Sequence, residues 1–220
     1  MTSQPDHPSQ EDFVPSALTI RGSSLEGDDA RVVSVLVSAY LMQTEREKRE
    51  HGVGDPSSPA HVLPTHYERE TSDPRGAYAD CTVLIAEVDQ RPVGVVVVRI
   101  AEGEAEIKRL WADPGVRGRG VGSALLDSAL ALAPGTIRLS VWEWRPAALR
   151  LYESRGFVRV ASWDARERLV CMARRGSDPS DTLPLRSLQS TSKDERGAIT
   201  RAVANPVPHI TGRHDDAQRT

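Results

Sequence analysis

The run Arg117-Gly118-Arg119-Gly120-Val121-Gly122, continued without a break by the apolar stretch Ser123 to Ala133, has the residue types needed to hold a pyrophosphate. Glycines let a backbone approach a bulky anion, and a helix starting there offers unpaired N–H groups and its positive dipole end. Spacing separates the loops that share this chemistry. A P-loop requires Lys and then Ser or Thr after its last glycine, and no Lys follows Gly122. A dinucleotide loop requires G-x-G-x-x-G near the start of a βαβ unit; this chain offers G-x-G-x-G past its middle, with no such unit around it. The bland alternative is a tight glycine turn carrying two solvated arginines.

A second segment weighs against that alternative. From Arg145 to Phe157 the chain has Pro146 where a helix begins, Gly156 where it ends and Phe157 to open the next strand. With these residues in view, the chain resembles the GNAT superfamily of acyl-CoA-dependent N-acetyltransferases. The family's R/Q-x-x-G-x-G/A loop is matched by Arg117, Gly120 and Gly122. Its N-x-x-A-x-x-x-Y-x-x-x-G-F signature is matched by Ala148, Tyr152, Gly156 and Phe157, with Arg145 standing where the family usually has Asn. The two signatures in this order are more specific than either alone, and the resemblance runs from about Leu18 to Arg175.

The resemblance implies acetyl-CoA as cosubstrate, no metal, and transfer of an acetyl group to a primary amine of a small or amino-acid-like molecule. It implies that Arg117, Gly118, Arg119, Gly120, Val121, Gly122 and Ser123 hold the CoA pyrophosphate. Main-chain groups of Leu110, Trp111 and Ala112 would run alongside pantetheine, one amide polarising the thioester oxygen. Tyr152 takes the place of the family tyrosine that protonates the departing thiolate; reference pKa values of about 8.5 for a thiol and about 10 for a phenol make that transfer feasible. Helix-face packing is its bland reading. Glu106 resembles the carboxylate base of part of the family. Glu104, two residues away and on the same strand face if no bulge intervenes, is a second acceptor-side candidate, although both could be solvated charges at a strand end. Trp111, Trp142 and Trp144 are expected around the opening between the two central parallel strands, where aromatic walls suit a flat or cationic acceptor. Arg145 either binds a substrate carboxylate or points to solvent. A non-catalytic acyl-CoA-binding module and a protein or peptide N-acetyltransferase remain open as alternatives.

The elements that must position these residues follow from periodicity. A strand at Ala17 to Arg21 precedes a helix from Gly27 to Glu50 with Val32, Val35, Leu36, Ala39 and Tyr40 on one face. A short helix is expected at Pro64 to Thr71. Strands at Thr82 to Val88 and Pro92 to Ile100 flank the turn Asp89-Gln90-Arg91, and Glu104 to Ala112 continues the sheet. A helix from Gly120 to Ala133, a strand from Ile137 to Trp142, a helix from Pro146 to Arg155 and strands at Phe157 to Ala161 and Arg168 to Ala173 complete the order. It reads as βααββββαβαββ with one uncertain join. The expected fold class is α/β, a mixed and mostly antiparallel sheet with helices on both faces, its fourth and fifth strands splayed around acyl-CoA.

Composition sets the frame. The chain of 220 residues is 39% hydrophobic and carries a net charge of −3, which argues against a nucleic-acid surface. No apolar run reaches the eighteen or so residues of a membrane span, and the polar start has no signal-like region, so a cytoplasmic protein is expected. Residues 1–16 and 176–220 read as disordered tails around one domain, 17–175. Cys81 and Cys171 read as small buried hydrophobes. Lysine occurs only at positions 48, 108 and 193, a bias consistent with GC-rich bacterial coding. The expected assembly is a monomer or homodimer, with no nucleic-acid or membrane partner.

Overall fold

Residues 83–86 and 93–98 are free of polar side chains, and such runs are buried on both faces of a sheet. In the computed structural model, which describes residues 17–54, 59, 62–133 and 135–176, this is what the centre of the molecule does. The expected tails lie outside the described residues apart from Gly176. The elements are β1 (Leu18–Gly22), α1 (Gly27–Glu50), a 3-10 turn (Thr65–Tyr67), α2 (Glu68–Ser72), α3 (Pro74–Ala77), β2 (Cys81–Val88), β3 (Arg91–Ala101), β4 (Glu104–Ala112), α4 (Val121–Leu132), β5 (Ile137–Trp142), α5 (Pro146–Glu153), β6 (Val158–Arg159) and β7 (Leu169–Arg174). Among the described residues three strands, not four, lie between the first helices and α4. Also among them, no helix is long and apolar enough to cross a membrane.

One seven-stranded sheet runs β1-β2-β3-β4-β5-β7-β6, antiparallel throughout except for the parallel pair β4 and β5. Alternating side chains of β2 and β3 feed two cores. Leu84, Ala86, Val96 and Val98 pack with Leu125 and Leu126 of α4 and Leu149 and Tyr152 of α5, while Val83, Ile85, Val95 and Val97 pack under Val33, Leu36, Val37 and Leu41 of α1. Burying each such side chain contributes roughly 1.5–3 kcal/mol. The α1 stripe differs from the expected face, since Val35 is exposed and Val33, Val37 and Leu41 are inside. The stretch Val32 to Met42 is apolar almost all round, so its period alone does not choose the inner face.

Two local devices shape the sheet. Asp89 and Gln90 both have positive φ, 51° and 63°, and close β2 and β3 through a two-residue turn whose twist suits a hairpin. Arg91 already belongs to β3. In β4, Val97 faces Arg109 and Val98 faces Ile107, leaving Lys108 as an extra residue. The bulge reverses the side-chain alternation. Ala105 and Ile107 therefore join Leu110 and Ala112 in the α4 core, whereas Trp111 turns to the α1 face. At Gly94, a Cβ would sit 2.8 Å from the Trp111 carbonyl oxygen and 2.9 Å from Leu125 Cδ1, so the missing side chain lets α4 lie close on β3.

Candidate functional site

The parallel strands β4 and β5 pair only over Ala105–Ile107 with Ile137–Leu139. Beyond those residues the strands part, while Leu110, Trp111 and Ala112 remain paired to Val96, Val95 and Gly94 on their other side. The β5-facing edge of this stretch of β4 thus has backbone groups with no strand partner, a state favourable only where another group supplies the hydrogen bonds.

The loop at the tip of β4 has the matching property. Gly118 and Gly120 hold φ of 77° and 78°, the left-handed region that side chains avoid. Gly120 is the residue before α4, and the first intrahelical bond runs from the Ala124 N–H to its carbonyl. The N–H groups of Gly118, Gly120, Val121, Gly122 and Ser123 have no acceptor among the described residues. Arg117, Gly118, Arg119 and Gly120 are exposed. A Cβ on Gly118 or Gly120 would meet nothing within 4 Å, and one on Gly122 only Leu151 Cδ2 at 3.7 Å. The protein leaves this space open, and five donors beside it suit a phosphate-bearing ligand such as CoA.

Tyr152 closes the other side of the fork. Pro146 opens α5, Leu149 and Tyr152 are its buried residues, and the Tyr152 carbonyl accepts from both Arg155 and Phe157 as the helix ends. Phe157 packs edge-on to the Tyr152 ring, centroids 5.8 Å apart. Tyr152 is 6% exposed and lines the cleft. Its hydroxyl has no hydrogen-bond partner among the described residues, yet no fully enclosed polar side-chain atom there lacks one. The hydroxyl therefore reaches the open space of the cleft. Burial, with Tyr40 adding to it and Arg145 opposing, pushes this phenol well above its ordinary value, so it keeps its proton.

Three carboxylates line the cleft, and two are committed. Glu70 accepts from Arg109 Nε and Nη2 at 3.0 and 2.7 Å and from the Tyr78 hydroxyl at 2.6 Å. Asp164 takes two bonds from the Arg166 guanidinium at 2.9 and 2.6 Å, and these bonds bring its carboxyl down to about 2 against the opposing effect of burial. Glu106 is the third; its nearest cation is Arg138, 3.9 Å away, and its side chain is 31% exposed. Among the described residues it is the cleft carboxylate without a hydrogen-bonded cation.

Several expected residues lie elsewhere. Glu104 also reaches Arg138 at 3.9 Å, but it is 61% exposed and lines an adjoining hollow with Arg99 and Glu102, which Glu106 borders as well as the cleft. The bulge lies after it, so it shares a face with Glu106 without sharing the cleft. The three tryptophans do not converge. Trp142 lines the cleft. Trp144 is stacked between Trp142 and His51, centroids 4.7 and 4.5 Å apart. The bulge carries Trp111 to α1, where its indole N–H donates to Gln43 Oε1 at 2.8 Å. Arg145 lines the cleft but does not point to solvent, because Nε donates to Glu47 Oε2 at 2.6 Å and Nη2 to Thr44 Oγ1 at 2.9 Å. Its guanidinium is held by α1, leaving little of it for a substrate carboxylate.

The sequence did not single out the aromatic lining from Tyr40, Tyr67 and Trp163, or the Arg109–Glu70 and Arg166–Asp164 pairs. The Tyr67 hydroxyl donates to Glu45, and burial, then that carboxylate, pushes its own pKa up to about 12. Arg109 and Glu70 are 39 residues apart, and no local spacing announces such a contact.

Comparison with known proteins agrees with this geometry. Residues 45–157 match the model of the acetyltransferase (GNAT) family. A mycothiol acetyltransferase from Clavibacter sepedonicus is 33% identical over 202 residues, covering 80% of this chain and 62% of that protein. A peptidyl-lysine N-acetyltransferase from Salmonella typhimurium is 39% identical over 79 residues, covering 36% of this chain and 51% of that protein. The chain thus spans less than two thirds of the length of these relatives. Among solved structures, the PaiA N-acetyltransferase of Thermoplasma acidophilum in complex with coenzyme A superposes with a TM-score of 0.54 at 19% identity, covering 72% of this chain and 99% of that one. A GNAT-family acetyltransferase of Staphylococcus aureus gives 0.53 at 14% identity, over 72% and 99% of the two chains. These likenesses establish the fold.

Proposed function

Because the chain belongs to the GNAT acetyltransferase family, we propose that it transfers an acetyl group from acetyl-CoA to a primary amine of a small or amino-acid-like molecule. The observation that carries the proposal is the fork itself. Among the described residues, an unpaired edge of β4, five unpartnered N–H groups at the start of α4 and the unpartnered hydroxyl of Tyr152 on α5, open to the cleft, border one opening.

Acetyl-CoA supplies an activated thioester when bound. The N–H groups from Gly118 to Ser123 bind its pyrophosphate, Arg117 and Arg119 add positive charge at the rim, and the free edge at Leu110 to Ala112 hydrogen-bonds the pantetheine arm. An amine resembling that of lysine, reference pKa about 10.4, is charged at neutral pH and must lose a proton before it attacks. Glu106, free of hydrogen-bonded partners in the cleft, accepts that proton directly or through water. Tyr152, protonated and facing the same space, donates to the departing sulfur. With Glu70 and Asp164 hydrogen-bonded to Arg109 and Arg166, the cleft offers the acceptor one carboxylate, Glu106, without a hydrogen-bonded cation among the described residues, set among aromatic walls, Trp142 and Trp163 included. The relative that aligns over most of this chain is named for a small molecule, mycothiol, which supports a small acceptor over a peptide.

Incubation with acetyl-CoA and a panel of amines, following release of free thiol, tests the proposal. Amine-dependent release is expected. Binding of acetyl-CoA without release for any amine or lysyl peptide would instead mark a non-catalytic module.

A further inference from the structure

Among the described residues, no strand pairing joins β4 to β5 once they part. Their ladder ends at Ile107 and Leu139, yet Trp111 lies four residues beyond the first and the turn carrying Trp144 and Arg145 lies just past the end of β5. Helix α1 supplies a connection. Gln43 and Glu47, one turn apart on α1, form a continuous polar chain between the two sides of the fork. The Trp111 indole N–H donates to Gln43 Oε1 at 2.8 Å, Gln43 Nε2 donates to Glu47 Oε1 at 2.6 Å, and Glu47 Oε2 accepts from Arg145 Nε at 2.6 Å and from Trp144 Nε1 at 3.4 Å. Indole is a donor only, so Gln43 must turn its oxygen to Trp111 and its amide nitrogen to Glu47. The chain of bonds has one orientation. Thr44, accepting from Arg145 Nη2, adds a second tie between the same turn and α1.

We propose that Gln43 and Glu47 are positioning residues: a clasp from α1 that fixes the width of the fork and, through Arg145, the start of the helix that carries Tyr152. The proposal rests on the acetyl-CoA reading above. Arg145 immediately precedes Pro146, and Tyr152 lies two turns along α5. A displacement of Arg145 is therefore carried down a short rigid element to the hydroxyl. The clasp is also an unusual choice if stability were its only purpose. Glu47 and Arg145 side chains are 17% and 18% exposed, and an apolar pair of similar volume generally holds two elements together as well as a buried ion pair. Directional bonds fix a spacing that apolar packing leaves looser. Burial alone would raise the Glu47 carboxyl, but the bonds from Gln43 and Arg145 outweigh it and keep the group below its ordinary value. Arg145, where the family usually has asparagine, reaches from the start of α5 to Glu47 and Thr44 on α1.

The test needs no acceptor, because CoA itself is the probe. The thiol of bound CoA is titrated by the ultraviolet absorbance of its thiolate in the full-length protein, in Glu47→Gln, in Tyr152→Phe and in the double variant, with CoA affinity and melting temperature measured alongside. Gln at position 47 keeps the volume but leaves one oxygen for three donors. A hydrogen bond from Tyr152 favours the thiolate, so Tyr152→Phe is expected to raise the bound thiol pKa by about one unit. Glu47→Gln should raise it in the same direction, and the double variant should go no further than Tyr152→Phe alone. Trp111→Phe, which removes one N–H and keeps a ring, should give a smaller shift of the same sign and serves if Glu47→Gln does not fold. A titration unchanged by both Glu47→Gln and Trp111→Phe while Tyr152→Phe shifts it, or shifts that add in the double variant, overturns the clasp and leaves the Tyr152 assignment standing. No shift in Tyr152→Phe overturns that assignment and the clasp's route to the chemistry with it.

Discussion

The two sides of the fork are built from different materials. The loop from Arg117 to Ser123 is a backbone site: its donors are main-chain N–H groups, its glycines are there to leave space, and its arginines stand in solvent. The opposite wall is a side-chain site, in which Glu47, Glu70 and Asp164 each accept hydrogen bonds from an arginine distant in sequence or fixed by a turn, whereas Glu106 meets Arg138 only at 3.9 Å and the Tyr152 hydroxyl has no partner among the described residues. A backbone site recognises a common feature, phosphate, and tolerates little variation. A side-chain site can be retuned residue by residue, as Arg145 in place of asparagine illustrates. On the function proposed above, the first region would read the cosubstrate and the second the acceptor and the proton transfers.

That division can be broken by substitutions that hit one side and spare the other. The largest effect is expected from Tyr152→Phe, which should lower kcat by about 10²-fold or more while the affinity for CoA, measured by calorimetry, stays close to that of the parent protein. A comparable loss of CoA affinity would mean that the tyrosine belongs to the binding side. Glu106→Gln should lower turnover near neutral pH by about 10²-fold at most, with the deficit shrinking as the pH rises toward the pKa of the acceptor amine, where unprotonated amine needs no base. A deficit constant with pH would remove Glu106 from proton transfer. On the loop, Gly122→Ala should weaken CoA by about tenfold with kcat at saturation unchanged. Its melting temperature should hold or rise slightly, because the new Cβ meets only Leu151 at 3.7 Å and alanine favours a helix. Parallel loss of stability and affinity would show that the space is needed by the protein rather than by the ligand. Smallest of all, Arg119→Ala should weaken CoA by about threefold at low salt and less at high salt, since the side chain is exposed and its charge is screened.

The same contrast explains how much could be read from residues alone. The geometry of the loop was legible because it is written in local spacing: glycines at 118, 120 and 122 where an apolar helix begins. Tyr152 was legible for a similar reason, lying in a short segment with Pro146 and Gly156 at its ends. The β-strands and both long helices followed from periodicity to within a residue or two. The acceptor side was not legible in the same way. The bulge at Lys108 leaves no mark in composition, yet it decides that Trp111 faces α1 and so separates it from Trp142. Arg145 could be seen to depart from the family pattern, but its partner Glu47 lies 98 residues earlier. Glu104 and Glu106 look equivalent in sequence and part company through the position of the cleft, which begins where β4 leaves β5.

The assignment meets its most direct test in a comparison of two proteins and one signal: thiol released from acetyl-CoA by the parent chain and by Tyr152→Phe, across small amines, amino acids and lysyl peptides. Amine-dependent release by the parent, strongest with a small amine and lowered about 10²-fold in the variant, is the expected result. Saturable binding of acetyl-CoA with no amine-dependent release from either protein would contradict it.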